Sequence, residues 1–118
     1  MHEERRQSAR VQCYLPVRFV VQGQRRVIQT LTKDLGLGGL RCLSPVVTPA
    51  AAPLSLEITL GAGTRPLNVQ AKVVWLKEVP HSEQVHLGIV FQDLSEEDTK
   101  LLSTYLNRFS SQLIHASV

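Results

Sequence analysis

The chain is divided into short runs in which apolar residues occupy every second position, and this alternation constrains its fold more than any other feature. Val11, Cys13, Leu15, Val17, Phe19 and Val21 share one parity, with Gln12, Tyr14, Arg18 and Gln22 on the other. The pattern returns in Leu54, Leu56, Ile58 and Leu60, in Leu67, Val69, Ala71, Val73 and Trp75, and in Val85, Leu87, Ile89 and Phe91. Period two is the period of a β-strand, and apolar–polar alternation puts one face on a core and the other on solvent. Residues 25–33 and Leu40–Leu43 are less regular but rich in β-formers, which makes six runs. Turn residues separate them: Gly23-Gln24, Asp34 to Gly39, Gly61-Ala62-Gly63 and Pro80 to Glu83. The Pro- and Ala-rich stretch from Ser44 to Pro53 reads as a surface loop or a single helical turn. Pro16 has no N–H for a ladder, so it marks an edge or a bulge.

The period then changes. Leu101, Leu102, Tyr105, Leu106 and Phe109 recur at helical spacing. Ser95 suits an N-cap, and Glu96, Glu97 and Asp98 suit the positive end of a helix dipole. These signals predict a helix over 95–110. Six strands and one terminal helix give an all-β fold, a six-stranded antiparallel barrel with a C-terminal α-helix. Residues 1–10 read as a flexible basic arm, 11–110 as the barrel with its helix, and 111–118 as a tail.

With 118 residues, 43% of them hydrophobic, the chain is one folded domain able to bury its own core. Cys13 and Cys42 belong to no paired motif and read as buried free thiols. No apolar run approaches the roughly 20 residues that span a bilayer, so a cytoplasmic protein without membrane insertion is expected. Enzyme signatures such as a nucleophile elbow, a P-loop or H-E-x-x-H are missing. His2, His81, His86 and His115 are scattered and read as surface residues. Asp93 and the Glu96–Asp98 cluster read as capping charges rather than an acid/base pair. No catalytic residue, metal or cofactor is expected.

Two features remain. Arg5, Arg6 and Arg10 fall within six residues, with no Lys among them. Guanidinium forks match phosphate oxygens and the O6/N7 edge of guanine, and their flat faces stack on purines. From the charge run alone, a solvated tail is the plainer reading. The second feature is the Asp34–Gly39 turn, where three glycines allow positive φ or close approach of a ligand, and Asp34 is an acceptor suited to the N1–H and N2–H edge of guanine. From the turn alone, an ordinary hairpin connection is the plainer reading. The net charge of +3 fits an anionic ligand. Aromatic content of 5% argues against a nucleic-acid-binding barrel, which interleaves aromatic and basic residues.

Together the two features resemble the PilZ domain family, bacterial receptors for cyclic di-GMP, whose motif is R-x-x-x-R followed downstream by [D/N]-x-S-x-x-G. Arg6-Gln7-Ser8-Ala9-Arg10 matches the first part. Asp34-Leu35-Gly36-Leu37-Gly38-Gly39 matches the second, except that Gly36 stands where the family has Ser. Tyr14 to Phe19, Val74-Trp75 and Leu87 to Phe91 also look like family strands, so the resemblance covers about residues 3–110. It implies that Arg6 and Arg10 contact phosphate and a guanine edge, that Arg5 stacks on or clamps a guanine, and that Asp34 accepts from the other guanine edge. It also implies that Gly39 allows close approach on the barrel face. Trp75 is a candidate neighbour of the base, although its parity with Ala71 and Val73 points to the core. The hydroxyl missing at Gly36 removes a contact near charged groups, which lowers affinity by roughly tenfold to a hundredfold. The implied protein is a monomer or weak homodimer that changes its surface on binding cyclic di-GMP and signals to an effector protein. The alternative is a degenerate adaptor that acts through protein contacts alone.

Overall fold

The computed structural model of the protein describes the backbone of residues 10–117 and the side chains of residues 10–108. Seven strands and a helix follow in order: β1 (Val11–Gln12), β2 (Pro16–Val21), β3 (Ile28–Leu35), β4 (Gly39–Ser44), β5 (Pro53–Ile58), β6 (Leu67–Glu78), β7 (Val85–Asp93) and α1 (Glu96–Ser117). All pairings are antiparallel. They run β3-β2-β5-β6-β7-β4, and a further β3–β4 pairing closes the ring. The expected six-stranded barrel is therefore present, and closure leaves its sheet without a free edge. The two-residue β1 is an addition that pairs with the end of β3, beyond the stretch β2 covers, and buries Val11 in the core.

The single run expected over 11–21 is broken between Gln12 and Pro16. Thr32, fully buried on β3, bridges the gap. Its hydroxyl donates to the Cys13 carbonyl at 2.6 Å and accepts from the Leu15 N–H at 2.9 Å, while its own N–H donates to the Leu15 carbonyl. One side chain thus satisfies two backbone groups where the ladder lapses, and buried backbone polar groups require such partners. The second strand runs from Ile28 to Leu35 rather than 25–33. Asp34 and Leu35 therefore belong to a strand, and the turn is confined to Gly36–Gly38.

The predicted inward parity holds for most of the chain. Phe19, Leu35, Leu40, Leu54, Ile58, Leu67 and Leu87 are each at most 1% exposed and fill the barrel. Cys13 and Cys42 are free and buried among them, and burial pushes the Cys42 thiol up to about 12. Such a thiol is inert in the native state.

Helix α1 seats Leu102 and Leu106 in the same core, with Leu101 and Tyr105 partly buried beside them. Its start is fixed as expected: Ser95 Oγ accepts from the Asp98 N–H at 3.0 Å. Asp98 also pairs with Arg65 at 2.7 Å, tying the helix to the β5–β6 connection. The helix continues past 110 to Ser117, through a stretch with neither Gly nor Pro to end it. Among the described residues, no helix is long and apolar enough to cross a membrane.

Candidate ligand-binding site

Register places four strands of the barrel wall in line. Asp34 on β3 lies opposite Arg41 on β4, Arg41 opposite Gly88 on β7, and Gly88 opposite Trp75 on β6. A neighbouring row joins Gly39, Val90 and Lys72, and another joins Leu43, His86 and Lys77. An open cleft of about 470 Å³ lies over the central row, with Arg10, Asp34, Arg41 and Trp75 among its walls and Gly39 and Gly88 in its floor. That volume falls within the range of ligand sites, roughly 300–1,000 Å³.

Two register shifts create this row. Thr32 faces the core, and strict alternation would send Asp34 the same way. The shift between Thr32 and Asp34 in the β3–β4 pair inserts Lys33 and turns Asp34 outward. In the same manner, strict alternation from Ala71 and Val73 would bury Trp75. A shift between Val73 and Trp75 in the β6–β7 pair reverses the parity. Trp75 is 40% exposed and Val74 47%, while Leu76 turns back against the core. Core packing, the placement that parity gave Trp75, is therefore replaced by a position on the cleft wall.

Asp34 is the electrostatic centre. Arg10 Nε donates to its Oδ1 at 2.8 Å and Arg10 Nη2 lies 2.7 Å from the same oxygen, while Arg41 Nε donates to Oδ2 at 2.5 Å. The carboxylate side chain is 8% exposed, and the two arginines are 46% and 42% exposed. A nearly buried anion thus holds two half-exposed cations at the rim, leaving a net positive charge toward solvent. Charge-assisted pairs of this kind are the stronger hydrogen bonds, and they fix guanidinium orientation. Arg10 reaches this position because β1 pairs Gln12 with Asp34. The two motif residues meet although 24 positions separate them.

Positive charge extends beyond the pair. Burial, and then the charges of Lys33, Arg41 and Lys77, hold the His86 imidazole below its ordinary value.

The glycines divide by role. Gly39 lines the cleft, but a Cβ there would collide with the Ile89 carbonyl oxygen, so its bare backbone serves the approach of β4 to β7. Gly88 is covered by the indole of Trp75, which a Cβ would strike. Gly36 is buried, donates its N–H to the Gly39 carbonyl at 2.9 Å and does not line the cleft. The described glycines with positive φ are Gly23 and Gly63, outside this turn. Arg5 and Arg6 lie outside the described residues. Arg41 and Gly88 were missed in the sequence. Arg41 carried a signal, since it shares the outward parity of Leu43 on a strand that begins at the motif glycine.

A family model described as PilZ domain matches residues 4–108. No protein of curated function matches the chain. Among solved structures, the Bacillus subtilis inhibitor of motility MotI/DgrA aligns with a TM-score of 0.70 at 22% identity, over 84% of this chain. This chain spans about half of that one, 48%. The PilZ domain of YcgR from Escherichia coli, solved with c-di-GMP, gives 0.71 at 14% identity, covering 92% of this chain and 94% of its own. The PilZ domain of CeSA from a cellulose-synthesizing bacterium gives 0.60 at 14% identity, covering 89% and 98%. At these identities the likeness is one of fold.

Proposed function

The chain belongs to the PilZ domain family, and from that premise we propose that it is a cyclic di-GMP receptor that regulates a partner protein by changing the surface around its cleft. The observation that carries this reading is the meeting of Arg10 and Asp34, one from each motif, in a 2.7 Å ion pair on the wall of a cleft that also holds Trp75. The arrangement supplies what a cyclic dinucleotide asks for: guanidinium forks for phosphate and base edges, and an aromatic face for stacking. The likeness of fold to the YcgR domain solved with c-di-GMP supports the same ligand.

No bond is made or broken. Arg6 lies four residues before Arg10, so in extended chain it reaches at most about 14 Å further. In this reading the ligand draws Arg5 and Arg6 over the cleft, with Arg6 and Arg10 on phosphate and a guanine edge and Arg5 against a base. Asp34 keeps both arginine forks in place. An effector reads the reordered surface, in the manner of a segment ordered by local charge contacts. In this reading the domain takes no catalytic part in the process. We place it in the cytoplasm, where the nucleotide is available, as a monomer or weak homodimer.

Gly36, standing where the family motif has Ser, supports a second reading as an adaptor that has lost the ligand. Titration calorimetry with cyclic di-GMP separates the two. The receptor reading predicts saturable binding at micromolar or tighter affinity, abolished in Arg10→Ala with little change in melting temperature. No heat at several hundred micromolar ligand would leave only the adaptor.

A further inference from the structure

One cation in the cleft wall has no role in the motif. Arg41 gives only its Nε to Asp34, and among the described residues neither of its Nη amines meets an acceptor. Arg10, in contrast, turns both Nε and Nη2 onto Asp34. Arg41 stands opposite Gly88, whose backbone is covered by the Trp75 indole reaching across from β6. Two strand spacings separate Trp75 from Arg41, about 10 Å. A purine stacked on the exposed indole face therefore lies above Gly88, with one edge turned toward β4. At that edge stands a guanidinium held by its Nε, with its outer N–H groups free.

We propose that Arg41 is a further base-reading residue of this cleft, donating from its Nη amines to the O6 and N7 acceptors of the guanine stacked on Trp75, with Asp34 as the positioning residue that fixes the fork. A base edge suits this fork better than a phosphate, since Arg41 shares one cross-strand row with Trp75 through Gly88. It also sets specificity. Guanine offers two acceptors to such a fork, whereas adenine presents an amino donor in place of O6. Asp34 then acts through Arg41, since each of its oxygens already holds a guanidinium.

This inference rests on the proposed function, and the test keeps the two apart. Calorimetry on the full chain uses cyclic di-GMP and its 7-deazaguanine analogue, in which N7 is replaced by C–H. Wild type should bind the analogue roughly tenfold more weakly. Arg41→Ala should bind cyclic di-GMP about tenfold to a hundredfold more weakly, and its penalty for the analogue should shrink by about tenfold. Arg41→Lys, which keeps the charge and the stem, should lose the N7 dependence as well. Asp34→Asn should also reduce that dependence, a change that loss of fold stability alone would not produce. Wild-type binding with the same N7 penalty in all four proteins overturns the inference and leaves the receptor reading standing. A retained N7 penalty in Asp34→Asn alone overturns the positioning role. Failure of wild type to bind either nucleotide removes both.

Discussion

Two side chains on β3, two residues apart, serve opposite faces of the barrel wall. Thr32 points inward and joins β1 to β2 through its hydroxyl. Asp34 points outward and gathers Arg10 and Arg41. An unsatisfied buried polar group costs about 1–3 kcal/mol, so Thr32→Val, which keeps the shape and removes both bonds, should cost on the order of 2–4 kcal/mol. Urea denaturation followed by circular dichroism reads this as a lower midpoint at unchanged slope. A loss under about 0.5 kcal/mol would mean that another group takes over the two bonds. At this scale the sequence was partly legible. The spacing of Arg6, Arg10, Asp34 and Gly39, together with the strand-and-helix pattern around them, carried the resemblance. Arg41 was passed over because a charged residue in a short strand looks like an ordinary solvent-facing position until its cross-strand neighbours are known.

The elements show where alternation misleads. Period two assigned the inward set of β2, β5 and most of β6 and β7 correctly, because each of these strands has one dry face. It misplaced Trp75, and continued from Thr32 it would misplace Asp34, for one reason: each follows a register shift, and a shift of one residue sends the next side chain to the other face. Nothing local in the sequence marks those shifts. They come from the need to close six twisted strands into a ring. The same shifts bring Asp34 and Trp75 onto one wall, so the irregularities that hid the site also build it. Gly88 tests this arrangement. A methyl group there meets the indole, a side chain free to swing away, so Gly88→Ala should fold while displacing Trp75. Trp75 is the only tryptophan, so its emission reports the displacement directly. Emission should shift, and cyclic di-GMP affinity should fall by about tenfold, the lower end of what base–aromatic stacking contributes. Wild-type emission and affinity in that variant would place the base elsewhere.

Across the whole molecule the barrel separates stability from recognition. The helix, its Ser95 cap and the Arg65–Asp98 pair close the core, while the cleft uses the outer wall of β3, β4, β7 and β6. Side chains on that wall can therefore change without emptying the core, which is why variants such as Arg10→Ala and Arg41→Ala test recognition with little cost in stability. The barrel and its terminal helix were legible because alternation and capping signals agree along the chain. The site was legible only as two separate motifs, since the wall that joins them exists only once the strands pair.

Cyclic di-GMP occupancy of this wall can be read residue by residue. A titration followed by two-dimensional amide NMR on the full chain tests it most directly. With the ligand seated there, saturable shifts are confined to Arg5 to Arg10, Asp34 to Arg41, Val74, Trp75 and Gly88 to Val90, with residues of β2 and β5 unmoved. Shifts clustered on the β2–β5 face or along the helix, or none at saturating ligand, would contradict it.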